Sequence, residues 1–396
     1  MNTKPRGTVC MCAYMHAKYI RQALDALAAQ TYTHFKIVAC DDGSTDGTYE
    51  ILKEYEAGKL AGKLTVITHP GHVNRGIYHT YNACLDHMDT EFFTAHASDD
   101  FWDPDALEYW VKFMDERPDI DFIYGQCKLV GADGVSLHQF LGACDIGNGE
   151  GARQKLIYAM AIHEPTIFYR GCCVDVLRSG HKFIYGDWYN TNHLFANYQG
   201  KHYMRPCVNY RIHDTSVMGK FNAHEDMNRR LAIYEQFYHE GLFADHPLLQ
   251  LHLYFPLIAI WTVNNDREKK SFYLKSLYQH LARYGQDCSN AEVLCEAAKT
   301  AYCFHKQAHA YFIALLPFRF GRLILYETPL RIACAQLVEM REHESPRLVI
   351  KIIIQIILAG CSLFVFKNLL CNLTKHRKLR PYDQRVGEHR RAKFGA

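Results

Sequence analysis

At 396 residues, 48% hydrophobic and 22% charged, the chain can fold into one large or two ordinary domains, and its composition excludes a disordered or fibrous protein. A net charge of +3 excludes a general nucleic-acid binder, since the basic residues concentrate only locally, between Lys375 and Lys393. The 15 cysteines follow a start in which Lys4 and Arg6 lead straight into a strand-like run, a pattern that predicts free thiols in a reducing cytosol rather than a disulfide framework.

From Gly7 to about Gly125 strand and helix signals alternate. Thr8 to Ala13 reads as a strand, and a helix runs through Ile20, Leu24 and Leu27. Phe35 to Cys40 is a second strand, followed by a helix through Tyr49, Leu52 and Tyr55. Leu64 to Thr68 predicts a third strand, His79 to His87 a helix, Glu91 to Ala97 a strand, and Asp105 to Glu116 a helix with Pro104 near its start. Ile120 to Tyr124 and Lys128 to Val130 read as further strands. A Gly-rich loop from Gly142 to Gly151 precedes a helix beginning near Arg153. This order predicts an α/β fold: a mostly parallel, Rossmann-like sheet with helices on both faces. Beyond about His224 the strand signals fade into Leu-rich and aromatic stretches at helical spacing, such as Leu231, Tyr234, Phe237 and Tyr238.

Two acidic runs stand where strands end. Asp41-Asp42-Gly43-Ser44-Thr45-Asp46-Gly47-Thr48 follows the second strand and opens a helix, and Asp99-Asp100 follows the fourth. Open α/β sheets bind ligands beyond their strand C-termini. There a carboxylate can accept from a base or ribose, and adjacent carboxylates offer hard oxygens to Mg²⁺ or Mn²⁺ on phosphates. Either run alone also reads as ordinary turn and cap chemistry; together, in order, they suggest a nucleotide and a metal.

Near the C-terminus, Leu348 to Leu373 is almost continuously apolar and is followed by Lys375, His376, Arg377, Lys378 and Arg380. Its uncharged part, Ile352 to Phe366, is short for a span of about 20 residues. An interfacial helix whose cations meet anionic headgroups fits better, with a buried terminal helix as the other reading.

The motifs converge on one family. TVCMCAYMHAKYI, DDGSTDGT, HVNRG with YNACL, SDDFWDP, GDWYNTNHLF and NYRIHDTSV occur in the order found in family 2 glycosyltransferases of the GT-A fold, which the first 220 residues or so resemble. The resemblance implies that Ala13, Tyr14, Asp42, Asn74, Asp99 and Arg211 serve the nucleotide sugar. Tyr14 would pack on the base, Asp42 accept from uracil N3-H, and Asp99 contact the ribose or sugar. Asp100 and His213 would hold a divalent metal, Mn²⁺ or Mg²⁺, on the diphosphate, and Asp187 would be the base that deprotonates the acceptor hydroxyl. Arg211 is open between a diphosphate contact and a surface pair, and His213 between a metal or phosphate contact and a structural histidine. Three positions depart from the family pattern. Met15 stands where an Asn is common, Ala97 where many members carry another Asp, and Tyr81 where an Arg often precedes Asn82, so that Arg75 is left as the substitute cation.

The resulting expectation is a GT-A catalytic domain over 1–223, a helical region over 224–346, and an amphipathic helix with a basic tail over 347–396 that associates with a membrane. The resemblance implies a metal-dependent, inverting glycosyltransferase of the hexosyltransferase type. It would carry sugar from a UDP-sugar to a glycan or lipid-linked oligosaccharide for surface polysaccharide, on the cytoplasmic face of the cell membrane. The alternatives are a non-catalytic nucleotide-binding scaffold of a glycan assembly complex and a nucleotidyltransferase, although the latter's basic Gly-rich phosphate loop is missing near the N-terminus.

Overall fold

The computed structural model describes residues 4–142, 145–158, 160–178, 183, 185–214 and 223–284. The chain divides into two compact units, Met1–Asp245 and His246–Ala396. The apolar run at 348–373 and the basic stretch after it lie outside the described residues. Among the described residues no helix is long and apolar enough to cross a membrane.

The first unit is built on a seven-stranded sheet. Its central strands are β1 (Gly7–Ala13), β2 (Phe35–Asp41), β3 (Leu64–Thr68) and β4 (Phe92–Ala97), joined through α1 (Ile20–Ala28), α2 (Thr48–Ala57) and α3 (Ile77–Leu85). β1 pairs in parallel with both β2 and β4, and β2 with β3. A strand flanked on both sides and covered on both faces reads as an unbroken apolar run, as Val9 to Ala13 does. Alternate side chains then enter different layers: Val9, Met11 and Ala13 pack with Ile20, Leu24 and Leu27 of α1, while Cys10 packs with Cys84 and Leu85 of α3.

Two short strands follow the fourth: β5 (Phe101–Trp102) and, after α4 (Ala106–Asp115), β6 (Phe122–Tyr124). β7 (Cys127–Val130) and β8 (Ser136–Leu141) come next, then α5 (Gly149–Tyr158), β9 (Phe168–Arg170) and α6 (Val174–Arg178). The unit closes with α7 (Gly186–Asn197), β10 (Gly200–His202), β11 (Val208–Arg211) and α8 (Ala223–Glu240). The main sheet has the order β10-β6-β9-β4-β1-β2-β3, with β9 antiparallel between β4 and β6. A second sheet, β5-β11-β7-β8, brings β11 to the segment that follows β4. The observed helix α5 begins at Gly149, inside the expected glycine-rich loop, and β5, β8, β9, β10 and β11 extend the architecture beyond the strands read from sequence.

In the second unit α9 (Pro247–Val263) and α10 (Arg267–Tyr284) pack on each other. His280 Nε2 lies 2.8 Å from the Pro247 carbonyl, tying the far end of the hairpin.

Candidate active site

Register brings the acidic runs together. Ala13 pairs with Asp41 and Cys12 with Ala97, so the C-terminal ends of β1, β2 and β4 lie side by side. Residues 14–16, 41–46 and 98–100 therefore share one edge of the sheet. The Ala13 carbonyl accepts the Asp42 amide at 2.8 Å, closing β1 onto the first acidic turn.

Asp41 and Asp42 are both buried. Asp41 Oδ2 accepts from the Ser44 amide at 2.9 Å and lies 2.7 Å from His72 Nε2. Asp42 accepts the Arg75 amide at 2.6 Å and the Gly76 amide at 2.9 Å, with His69 Nε2 at 3.5 Å. The loop before α3 is thus fastened over the end of β2, and a base reaching Asp42 would share oxygens that already serve this loop. Gly43 permits the approach. At φ +75° its α-carbon faces the loop so closely that a β-carbon would lie 2.8 Å from the Asn74 nitrogen. Asn74 and Arg75 are exposed on that loop, and Tyr14 is exposed beside it at the end of β1.

The second acidic pair splits in role. Asp99 Oδ2 lies 3.0 Å from His213 Nε2 and 3.7 Å from His16 Nε2, and the ligand atoms of these three residues all fall within 4.8 Å of one another. Asp100 turns inward, where Oδ1 accepts the Arg211 amide at 2.8 Å and Oδ2 is buried without a hydrogen-bond partner. Among the described residues the cluster around His213 thus contains Asp99 and not Asp100. Adjacent residues face opposite ways as the chain leaves β4, and it is Asp99 that meets the histidines. A carboxylate and two imidazoles suit a divalent cation. Burial raises the Asp99 pKa, but the His213 hydrogen bond and the nearby His16 outweigh it and hold the group below the usual range. Burial and the neighbouring Asp99 charge push Asp100 well up. Burial also lowers His16, which favours a neutral imidazole.

Arg211 is buried, and its guanidinium donates to the Asp99 carbonyl at 2.7 Å, the Ala132 carbonyl at 3.1 Å and Gln22 Oε1 at 2.6 Å. It is buried rather than part of a surface pair. It clamps the Asp99-Asp100 turn from beneath.

Asp187 opens α7 and is half-buried; its Oδ1 accepts the Trp188 amide at 2.9 Å, and its own amide donates to Tyr78 Oη at 3.1 Å. Burial pushes its pKa up to about 6, against the pull of those helix-start amides. Tyr210 on β11 is raised first by burial and then by the charges of Asp100 and Asp99.

Three contributors escaped the sequence reading. His16 was seen only as part of the first turn, although its place three residues beyond a strand end was a usable signal. His72 opens the HVNRG motif, but its pairing with Asp41 is set by the loop's fold over β2 and has no local signal. Glu164, in the 3₁₀ turn Glu164–Thr166, carries no local signal: Tyr169 donates to it at 2.8 Å and Tyr81 at 3.3 Å. Burial pushes it up to about 7, and the Asp187 charge adds to the rise. Tyr81, where an arginine was the familial expectation, is spent on this buried acid.

Residues 8–165 match the model of the family described as Glycosyl transferase family 2. This segment belongs to that family. The family 2 domain is 31% identical over 142 residues to TuaG of Bacillus subtilis, named as a teichuronic acid biosynthesis glycosyltransferase; the match covers 36% of this chain and 54% of TuaG. Its match to EpsE of the same organism is 28% over 117 residues, covering 30% of this chain and 41% of EpsE. The chain thus spans only about half of these relatives' length. Among solved structures, Staphylococcus aureus TarS 1-349 in complex with UDP-GlcNAc aligns over 89% of each chain at 18% identity and a TM-score of 0.46. With its parallel sheet, flanking helices and acidic strand ends, the family 2 domain has the GT-A fold.

Proposed function

We propose that this chain is an inverting, metal-dependent glycosyltransferase that moves a sugar from a UDP-sugar to a hydroxyl of a glycan or lipid-linked oligosaccharide in surface polysaccharide biosynthesis. The observation that carries the reading is the meeting of an acidic strand end with two histidines at the C-terminal edge of the parallel sheet, where the ligand atoms of His16, Asp99 and His213 all fall within 4.8 Å of one another. Family membership supports the reaction class, and the name of TuaG supports the kind of product.

Ala13, Tyr14, Asp42 and Asn74 line the edge where the nucleotide would lie, with Arg211 positioning Asp99 from below. Asp99 and His213 would hold the divalent cation, which when bound neutralises the charge that gathers on the leaving diphosphate. Asp187 takes the acceptor's hydroxyl proton onto a carboxylate oxygen as the acceptor oxygen bonds to the anomeric carbon. The bond from that carbon to the diphosphate breaks on the opposite face, its electron pair leaving on the phosphate oxygen, and the configuration inverts. A base with a pKa near 6 is ionised at neutral pH yet still basic enough to assist. The apolar, basic-flanked segment from Leu348 to Arg380 would hold the enzyme on an anionic cytoplasmic membrane face, where lipid-linked acceptors reside.

The test is a nucleotide-sugar panel with Mn²⁺ and a lipid extract, reading nucleoside diphosphate release by the wild type and by Asp187→Asn. Metal-dependent UDP release from one donor is expected, falling by about 10²- to 10⁴-fold in the variant while UDP binding persists. No release from any donor, despite nucleotide binding, would instead favour the scaffold. Normal release by the variant would remove Asp187 from its role.

A further inference from the structure

We infer that His16 is a third protein ligand of the divalent cation, completing a two-imidazole, one-carboxylate set with Asp99 and His213 that selects a transition metal such as Mn²⁺ over Mg²⁺. The inference rests on the reading of Asp99 and His213 as metal ligands.

His16 is held on both sides of its α-carbon. Its amide donates to Thr48 Oγ1 at 2.9 Å, and its carbonyl accepts the Tyr19 and Ile20 amides, each at 2.9 Å, as α1 begins. The ring is held too, because Nδ1 lies 2.8 Å from Ser98 Oγ. With Nδ1 donating to that hydroxyl, Nε2 presents its lone pair toward Asp99. An imidazole anchored through one nitrogen and pointing the other at a shared centre is the usual arrangement of a ligating histidine.

The spacing agrees. Donors at about 2.1 Å from one ion stand about 3.0 Å apart at a right angle and about 3.4 Å apart at a tetrahedral angle. From Asp99 Oδ2, His213 Nε2 is at 3.0 Å and His16 Nε2 at 3.7 Å, so the second distance must close by about 0.3 Å for a tetrahedral angle and about 0.7 Å for a right angle. The two rings stand at 86° with centroids 5.8 Å apart, which lets both nitrogens approach the same oxygen without the rings colliding. As a plain ion pair the His16 contact is poor, since 3.7 Å is too long for a hydrogen bond.

The donor types give the set its chemical consequence. In the cluster Asp99 is the one carboxylate, and His16 and His213 both supply nitrogen. Mg²⁺ favours oxygen and sheds water reluctantly, whereas imidazole suits the transition metals. The second imidazole, from His16, moves the site away from Mg²⁺.

The experiment titrates the full chain with Mn²⁺, followed by the free-ion EPR signal, and with Mg²⁺ in competition, both with UDP present. Pulsed EPR counts the nitrogen couplings on bound Mn²⁺. In His16→Ala we expect Mn²⁺ affinity to fall by about tenfold or more, Mg²⁺ affinity to change by less than about threefold, and the couplings to drop from two imidazoles to one. Ser98→Ala, which keeps the ring but removes its anchor, should lose Mn²⁺ affinity to a lesser degree. Metal-free thermal melts exclude a folding defect in either variant. Unchanged Mn²⁺ affinity in His16→Ala, or equal losses for both ions, would overturn the inference. Asp99→Asn separates the two levels: if it binds Mn²⁺ like the wild type, the underlying assignment of the metal site fails, and not only the part given to His16.

Discussion

Asp187 ties residue chemistry to a pH window. Burial lifts its pKa from 3.8 to about 6, so the carboxylate is protonated below that value and ionised above it. A base must be ionised, and the transfer rate should therefore rise about tenfold per pH unit below 6 and level off above 7. In Asp187→Asn that limb should disappear along with most of the rate; a limb that persists in the variant's residual activity would assign it to another group. Met15 is a second residue with a local cost. It sits at φ 53°, in the left-handed region where asparagine is far better tolerated, although its sulfur contacts the Thr45 amide at 3.4 Å. Met15→Asn should raise stability by about 1 kcal/mol, read as a higher midpoint in urea at unchanged slope. A lower midpoint would mean that the sulfur contact outweighs the backbone strain. The sequence marks this departure, but the dihedral angle that makes Met15 strained leaves no trace in it.

At the scale of elements, legibility followed burial and length. β1, β2 and β4 are six or seven residues long and mostly buried, so each is visible as a largely apolar run that ends at a polar turn, whereas the edge strand β3 is five residues long and partly exposed. β5, β9 and β10 have two or three residues each, too few for any periodicity to register. β9 is a strand because β4 and β6 hold it from either side, a tertiary cause with no local trace. β8 is mostly exposed, so it lacks the alternation that betrays a half-buried strand. The site followed the same rule. The acidic strand ends were visible, but which of Asp99 and Asp100 faces the histidines depends on how the chain turns after β4. The loop over β2 gives a test at this scale. Gly43→Ala must place a β-carbon 2.8 Å from both the Asn74 nitrogen and the Val73 carbonyl carbon, at a φ of +75°. It should cost about 1–3 kcal/mol and weaken UDP binding as the loop lifts from Asp42, while Gly47→Ala, with nothing within 4 Å, meets only the φ penalty. Equal UDP binding by the two variants would disconnect the loop from the nucleotide.

For the whole molecule, a nearly balanced charge of +3 conceals an uneven distribution. Lys375, Arg377, Lys378 and Arg380 follow directly on an apolar run whose uncharged core is Ile352 to Phe366. A membrane surface would use both features: the apolar residues for insertion at the interface, and the cations for attraction to anionic headgroups at about 1 kcal/mol each. A protein-packed helix would use only the apolar part and leave the cations in water. Replacing the four basic residues with Gln distinguishes the cases. If the segment meets a membrane, cosedimentation of the full chain with phosphatidylserine-containing vesicles should weaken by about 10²- to 10³-fold, and wild-type binding should fall as salt shortens the Debye length. UDP release from the donor in the presence of a soluble acceptor should be unchanged, because these residues are remote in sequence from every assigned site residue. Binding to the vesicles that is insensitive to both the substitutions and salt would reject the electrostatic part of the model, and no vesicle binding by the wild type would reject membrane association outright.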